Sequence, residues 1–253
     1  MFVFEISLKF KKESKKEIID NFWCFTASLL NNGQILNGLR VITESNDKII
    51  VTVICPEINS LETEFSDKYV ISDLNKLEEI SEEKTKIKLI GKDAELNDIK
   101  NIQCCQKTTF YILHTHFFKI DSPIYCGNCF KSIPLYKILK EQSNGVLAWQ
   151  ESYKACDWLQ LSCSVGEKFG LKEMSNFNSN LTKDALGVCE TIEQVTGKPV
   201  FYYLFNYRNI SHKKDLNRKC PSCGGEWLLK KELHNLFNFK CEKCKLLSAF
   251  TCN

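Results

Sequence analysis

The clearest chemistry in this chain of 253 residues lies in four cysteines near its end: Cys220-Pro-Ser-Cys223, followed by Gly-Gly, and Cys241-Glu-Lys-Cys244, with seventeen residues between Cys223 and Cys241. Each Cys-x-x-Cys step turns tightly enough to aim two thiolates at one tetrahedral ion, and the interval between the steps suits a four-cysteine zinc site. Gly224-Gly225 relaxes the backbone where the first step turns out into a strand. Trp227-Leu-Leu and Leu236-Phe-Asn-Phe supply short strands, so the segment reads as a zinc ribbon. Four thiolates fill the coordination sphere, so the expected cofactor, one Zn²⁺ on Cys220, Cys223, Cys241 and Cys244, is structural.

A third step, Tyr125-Cys126-Gly-Asn-Cys129-Phe, is half of such a site. The missing ligands of a second metal centre would come from Cys104, Cys105, His114 or His116, and strand alternation would put the two imidazoles on one face. A second reading makes Cys126 and Cys129 a thioredoxin-like dithiol, which needs a low-pKa thiol at a helix N-terminus. The third reading is two thiols in a tight turn. Cys24, Cys55, Cys156, Cys163 and Cys189 stand alone in apolar-periodic segments and read as small hydrophobes. His212 and His234 also stand alone and read as surface residues, while Glu151 and Asp157 read as helix carboxylates facing water or a hydrogen-bond donor. Nucleophile-elbow, phosphate-loop, dinucleotide, zinc-protease and kinase motifs are all absent.

Around the ribbon, Lys219, Lys230, Lys231, Lys240, Lys243 and Lys245 are interleaved with Trp227, Phe237, Phe239 and Phe250. Exposed, these residues would contact phosphates and stack on bases. Alternatively the aromatics are the ribbon's own small core and the lysines its solvated rim. The formal net charge is +3, with an acidic first hundred residues and a basic excess of five over residues 211–253. A zinc ion on four thiolates contributes −2, which leaves that segment at about +3.

The elements that must position these groups follow from periodicity. Phe2 to Phe10 alternates as a strand, and Ser14 with Glu17 has capping-box spacing ahead of an amphipathic helix ending near Asn32-Gly33. Leu39-Arg-Val-Ile-Thr and Lys48 to Ile54 flank a turn at Ser45-Asn-Asp. A helix over about 60–80 and a strand from Thr85 to Ile90 complete βαββαβ, the split arrangement of ferredoxin-like domains. Their strands show no aromatic stripe of the kind that stacks RNA bases. Beyond Asn97-Asp-Ile-Lys, a strand over Thr108–Ile120, a helix over Val146–Ser164 and a Ser/Asn-rich loop over Met174–Asn180 are predicted. Trp149, Tyr153, Cys156, Gln160 and Cys163 share one face of that helix. A helix ending at Gly197 and a strand from Val200 follow, then a polar linker over Arg208–Arg218.

The expected fold class is therefore α+β in three parts: a ferredoxin-like domain over 1–98, an α/β middle region over 99–212 and a ribbon over 213–253. At 43% hydrophobic, with 11 Gly and 5 Pro, the chain is neither disordered nor fibrous. It lacks an apolar run long enough to span a bilayer, and its start is unlike a signal peptide. With fourteen cysteines and no leader it is expected in the reducing cytoplasm, away from membranes.

Four segments carry a resemblance to a bacterial family. They are Ser122-Pro-Ile-Tyr-Cys-Gly-Asn-Cys-Phe with Pro134-Leu-Tyr; Trp149-Gln-Glu-Ser-Tyr-Lys-Ala-Cys-Asp; Pro199-Val-Phe-Tyr-Tyr-Leu-Phe-Asn-Tyr; and Cys220-Pro-Ser-Cys-Gly-Gly-Glu-Trp through Phe239-Lys-Cys-Glu-Lys-Cys-Lys-Leu-Leu-Ser. They resemble the zinc-ribbon-containing proteins of the domain of unknown function DUF2310, for which nucleic-acid binding has been suggested. The resemblance implies the four ribbon ligands and an unassigned Cys126/Cys129 pair. Arginines typical of that family stand here as Lys137 and Lys245. The leading functional expectation is a non-enzymatic zinc-ribbon protein that binds RNA or DNA through its basic C-terminal module. The alternative is a protein-interaction module, an adaptor or specific inhibitor. A thiol or metal-dependent enzyme using Cys126 and Cys129 comes third.

Overall fold

The computed structural model describes residues 1–10, 15–36, 42–45, 47–94, 104–105, 107–139, 143–207 and 211–251. Ser14 of the expected capping box, residues 39–41 and 46 of the expected hairpin, and the expected start of the middle region at 97–100 lie outside them. The chain divides into two compact units. One comprises Met1–Gln103 with Ile120–Ser122 and Pro134–Asn144, the other Cys104–Lys119, Pro123–Ile133 and Gly145–Asn253.

The first unit runs β1 (Phe2–Lys9), α1 (Lys15–Asn31), β2 (Ile42–Ser45), β3 (Lys48–Cys55), α2 (Lys68–Glu79) and β4 (Lys86–Lys92). Its sheet has the order β2-β3-β1-β4 and is antiparallel throughout, as a βαββαβ chain requires when each helix returns the chain across the sheet. Alternation puts Phe4, Ile6 and Leu8 of β1 on the same face as Ile49, Val51 and Val53 of β3, and these form one core with Ile18, Phe22, Phe25 and Leu29 of α1 and Val70 and Leu77 of α2. Each such side chain contributes roughly 1.5–3 kcal/mol by leaving water. The opposite face of β1 and β3 carries Val3, Glu5, Ser7, Ile50, Thr52 and Ile54, with no aromatic ring among them. The predicted helix over 60–80 starts later than expected, because Asp67 caps α2 by accepting from the N–H groups of Tyr69 and Val70.

Pro134-Leu-Tyr belongs to this unit rather than to the middle region. Leu135 and Tyr136 are buried there. The Tyr136 hydroxyl donates to Glu57 Oε2 at 3.0 Å and lies 3.1 Å from Ser60 Oγ. Lys137 is ion-paired with the same Glu57.

The second unit contains β5 (Tyr111–Leu113), β6 (Ile124–Cys126), α3 (Ser143–Leu161, from Gly145 onward), α4 (Glu167–Ser175), α5 (Asn180–Thr196), β7 (Val200–Tyr203), α6 (His212–Leu216), β8 (Leu228–Leu233), β9 (Phe237–Cys241) and β10 (Leu246–Ser248). Its sheet is mixed, with the order β6-β5-β7-β10-β9-β8. β10 lies parallel to β7 and antiparallel to β9, so the ribbon's strands extend the middle region's sheet. The expected boundary at 212/213 therefore does not separate two compact units. On one sheet face Ile112, Tyr125, Phe201, Tyr203, Phe237 and Leu247 form a core drawn from both segments. On the other, Tyr202 meets Trp149 of α3 with ring centroids 6.1 Å apart, and α5 packs on β7.

Several expected elements are shorter or shifted. The strand predicted over 108–120 is confined to β5, which leaves His114 and His116 beyond its end. Helix α3 stops at Leu161, so Cys163 lies past it, exposed and with a positive φ of 49°. Cys24 is exposed as well, whereas Cys55, Cys156 and Cys189 are buried as expected of small hydrophobes. Helix α4 occupies residues on which no element was predicted, and part of the expected linker is α6.

Candidate metal centres

Among the described residues, two groups of four cysteines converge. Cys220, Cys223, Cys241 and Cys244 form one; Cys104, Cys105, Cys126 and Cys129 form the other, and within each group the sulfurs all lie within 4.8 Å of one another. Contacts within them include 3.7 Å between Cys223 and Cys241, 3.5 Å between Cys105 and Cys126, and 3.7 Å between Cys104 and Cys129. An ion bound at about 2.3 Å by four sulfurs places them roughly 3.8 Å apart, far beyond the ~2.05 Å of a disulfide. The donor sets and spacing thus fit a four-thiolate metal ion in both places.

In the ribbon, Cys220 N–H donates to the Gly225 carbonyl and Gly224 N–H to the Cys220 carbonyl, both at 2.9 Å, with Gly224 at a left-handed φ of 70°. The backbone N–H of Gly225 leads the hydrogen bonds that hold the Cys223 thiol down to about 7, while burial pushes Cys241 up to about 12. In the other group burial opposes ionisation of Cys126. Hydrogen bonds from Thr108 and from the amides of Cys129 and Asn128 outweigh it and bring that thiol to about 6. Burial raises Cys104 to about 12. Each cluster thus pairs a thiol poised to ionise with a neighbour that stays protonated until a cation arrives, so metal binding displaces protons.

The clusters are supported by their surroundings. Asn128 Oδ1 accepts from the Thr109 N–H at 2.7 Å and from its hydroxyl at 3.0 Å. Gly127 packs so tightly on Phe110 that a Cβ there would lie 2.3 Å from the ring. His234, at the tip of the β8–β9 hairpin, lies 2.8 Å from the Gly127 carbonyl and stacks on Phe130. It was expected at the surface and on its own; nothing local in the sequence signals this contact.

His114 and His116 do not join the four-sulfur group. The His114 ring is packed among Tyr203, Phe237, Tyr125 and Phe130, and its Nδ1 is buried with no hydrogen-bond partner among the described residues. Burial, aided by His116 and Lys119, depresses its pKa to about 3. Cys126 and Cys129 do not open a helix either. Their turn runs back to Ser132, which bridges to Tyr125, so the thioredoxin-like arrangement is not formed.

The ribbon's aromatic and basic residues divide. Trp227 is 2% exposed, its indole N–H donates to the Arg218 carbonyl, and Phe237 and Phe239 are fully buried. No ring face of the three is free to stack on a base. Lys219 pairs with Glu226, Lys240 with Glu242, and Lys245 with Glu193. Lys240 also lies over the rings of Phe110 and Phe201. Lys230, Lys231 and Lys243 remain exposed. Asp215 accepts from Arg218 Nε at 2.9 Å, from Asn206 and from the Thr251 N–H, while Arg218 also reaches Ser248 and the Ala249 carbonyl.

One surface feature was not anticipated. Asp157 on α3 accepts from the Phe117 N–H at 2.7 Å, and the Phe117 ring stacks on Trp158 with centroids 4.6 Å apart. Phe118 is 73% exposed, Trp158 51% and Leu161 44%.

Comparison with known proteins agrees with the sequence resemblance. The family model "Domain of unknown function (DUF2310)" matches residues 105–205. Two further models of unknown function, DUF8589 and DUF8594, match residues 1–91 and 209–253. An uncharacterized protein of Haemophilus influenzae is 35% identical over 231 residues, covering 88% of this chain and 87% of the relative. The chain belongs to the DUF2310 family. A second uncharacterized H. influenzae protein is 38% identical to this DUF2310 chain over 162 residues, 62% of it and 80% of the relative. Among solved structures, an antibiotic biosynthesis monooxygenase overlaps 37% of the chain and 99% of its own at a TM-score of 0.31 and 6% identity. A conserved protein from Methanosarcina mazei Go1 overlaps 37% and 95% at 0.31 and 14%. Overlaps of that quality carry no functional argument. Among the described residues no helix is long and apolar enough to cross a membrane.

Proposed function

We propose that this DUF2310 protein is a non-catalytic, zinc-holding binding protein of the reducing cytoplasm. Its surface for a partner protein is the cluster Phe117, Phe118, Trp158 and Leu161. The observation that carries this reading is the exposed Trp158 ring stacked on the half-buried Phe117, whose N–H Asp157 holds, beside the exposed Phe118 and Leu161. Scattered exposed apolar residues are ordinary, but rigid aromatics held in contact are the side chains that dominate protein interfaces. The four-thiolate donor sets support binding over catalysis, since they leave no open coordination position.

The second reading, RNA or DNA binding through the ribbon, rests on Lys230, Lys231 and Lys243, which are exposed and whose charges no described acid neutralises. It is the weaker reading, because Trp227, Phe237 and Phe239 are buried, Phe250 is half-buried, and Lys219, Lys240 and Lys245 are ion-paired. Two zinc–thiolate centres would also take the whole chain from +3 to about −1. The residues that replace the family's arginines, Lys137 and Lys245, both sit on glutamates.

The test places a photo-crosslinking phenylalanine analogue at position 118 of the full chain in cells. One dominant protein adduct is expected. The purified partner should bind the wild-type chain at about 200 mM salt, where phosphate contacts fade, and bind Trp158→Ala at least about tenfold more weakly. Absence of an adduct, together with salt-sensitive binding of RNA or DNA that Lys230→Glu/Lys231→Glu/Lys243→Glu abolishes, would overturn it in favour of the second reading.

A further inference from the structure

We infer that Cys104, Cys105, Cys126 and Cys129 hold a second Zn²⁺ ion, distinct from the ribbon's, which clips the first residues of the second unit to the β6 turn. The argument begins with the backbone. The Cys126 step and the first ribbon step make the same two hydrogen bonds. Cys126 N–H donates to the Lys131 carbonyl at 2.9 Å, as Cys220 N–H does to Gly225; Phe130 N–H donates to the Cys126 carbonyl at 2.8 Å, as Gly224 N–H does to Cys220.

The residue after the second cysteine is left-handed in all three steps: Phe130 at φ 55°, Gly224 at 70° and Lys245 at 52°. A bulky phenylalanine rarely adopts that conformation without surroundings that enforce it. Plain hairpin turns use a left-handed residue too, usually Gly or Asn; here the same kink follows the second cysteine of every Cys-x-x-Cys step, even where that residue is Phe130. In a metal knuckle that kink points both sulfurs to the same side.

The other two ligands arrive in an unusual form, as vicinal cysteines. Each meets a different member of the knuckle, Cys105 facing Cys126 at 3.5 Å and Cys104 facing Cys129 at 3.7 Å. The four sulfurs therefore close around one centre from two sides. Thr108 Oγ1 donates to Cys126 Sγ at 3.3 Å and lies 3.8 Å from Cys104 Sγ, the outer-sphere contact that orients ligating thiolates. Residues 104–105 and 107–110 form no helix or strand, so the segment's order depends on these contacts and on Asn128. Four sulfurs with no carboxylate or imidazole favour zinc over harder ions.

The test is metal content of the full chain, purified under reducing conditions and measured by mass spectrometry. Two zinc ions per chain are expected. Cys104→Ser/Cys105→Ser should retain one, and Cys220→Ser/Cys223→Ser should also retain one. To separate lost ligands from lost folding, the stripped wild-type chain is titrated with Co²⁺, whose visible absorption reports tetrahedral sulfur coordination. Saturation at two equivalents is expected, and at one equivalent in Cys104→Ser/Cys105→Ser of unchanged circular dichroism. One zinc and one cobalt equivalent per wild-type chain, both lost with the ribbon cysteines, would overturn the proposal. So would iron in place of zinc, or two zinc ions retained by Cys104→Ser/Cys105→Ser.

Discussion

His234 Nε2 lies 2.8 Å from the carbonyl oxygen of Gly127, residues separated by 107 positions in the chain. A carbonyl only accepts, so the ring donates from Nε2, and its flat face rests on Phe130 at 5.1 Å. The ribbon's hairpin tip thereby braces the turn that carries Cys126 and Cys129. His234 has a positive φ of 57°, so asparagine, which tolerates that backbone, isolates the side chain's contribution. His234→Asn should lower unfolding free energy by about 1–2.5 kcal/mol, one hydrogen bond plus one ring stack. Urea denaturation checks it; an unchanged midpoint would show that the contact contributes nothing.

Gly127 offers a sharper test of the same turn. A methyl group there would sit 2.3 Å from the Phe110 ring, so Gly127→Ala must push the turn or the ring aside. Overpacking of this kind costs typically 1–3 kcal/mol. Phe110→Ala introduced with it should recover part of the loss, a coupling that a double-mutant cycle measures directly.

The buried Asp215–Arg218 pair ties α6 to the end of β10 and the residues after it. Removing one partner leaves an uncompensated buried charge, so Asp215→Ala should cost about 3–5 kcal/mol. Replacing both, as Asp215→Leu/Arg218→Met, takes a partner from Asn206, the Thr251 N–H and the Ala249 carbonyl but leaves no lone buried charge, so it should cost less than the sum of the two single changes. A double variant as unstable as the sum of its parts would contradict this account.

His114 sets an acid limit. Its pKa falls from 6.5 to about 3 on folding, so below pH 6.5 the unfolded chain takes up a proton that the folded chain refuses. Stability from this group is complete above pH 6.5 and is lost as the pH falls toward 3. Between pH 7.5 and 5.5 the wild-type chain should lose about 1.4 kcal/mol more than His114→Phe does. Taking the difference cancels protonation of the cysteines, which both proteins share. Equal losses would place His114 in water.

What could be read in advance was local. The four ribbon cysteines can be grouped from the sequence because both steps and the interval between them lie within 25 residues, and the βαββαβ order follows from alternation and helical spacing inside short windows. Cys104 and Cys105 carry no knuckle spacing of their own, and their role depends on meeting a turn about twenty residues away. Trp227 has the same neighbours in sequence whether its ring is a stacking platform or a core side chain; the Arg218 carbonyl that takes its N–H decides between them. Asp157 was legible only as a helix carboxylate facing water or a donor, because the donor, the Phe117 N–H, lies 40 positions earlier. Strand lengths were overestimated around His114 because β-prone residues continue past the point where a partner strand ends.

The placement of β10 between β7 and β9 has a bearing on how this protein can be taken apart. Family models meet between residues 205 and 209, at a seam in the sequence that is no seam in space. A chain cut there would leave β7 an open flank, with Phe201 and Tyr203 stripped of Phe237 and Leu247. The ribbon is therefore not a detachable cassette, and grafting it elsewhere would mean transplanting the strand it leans on.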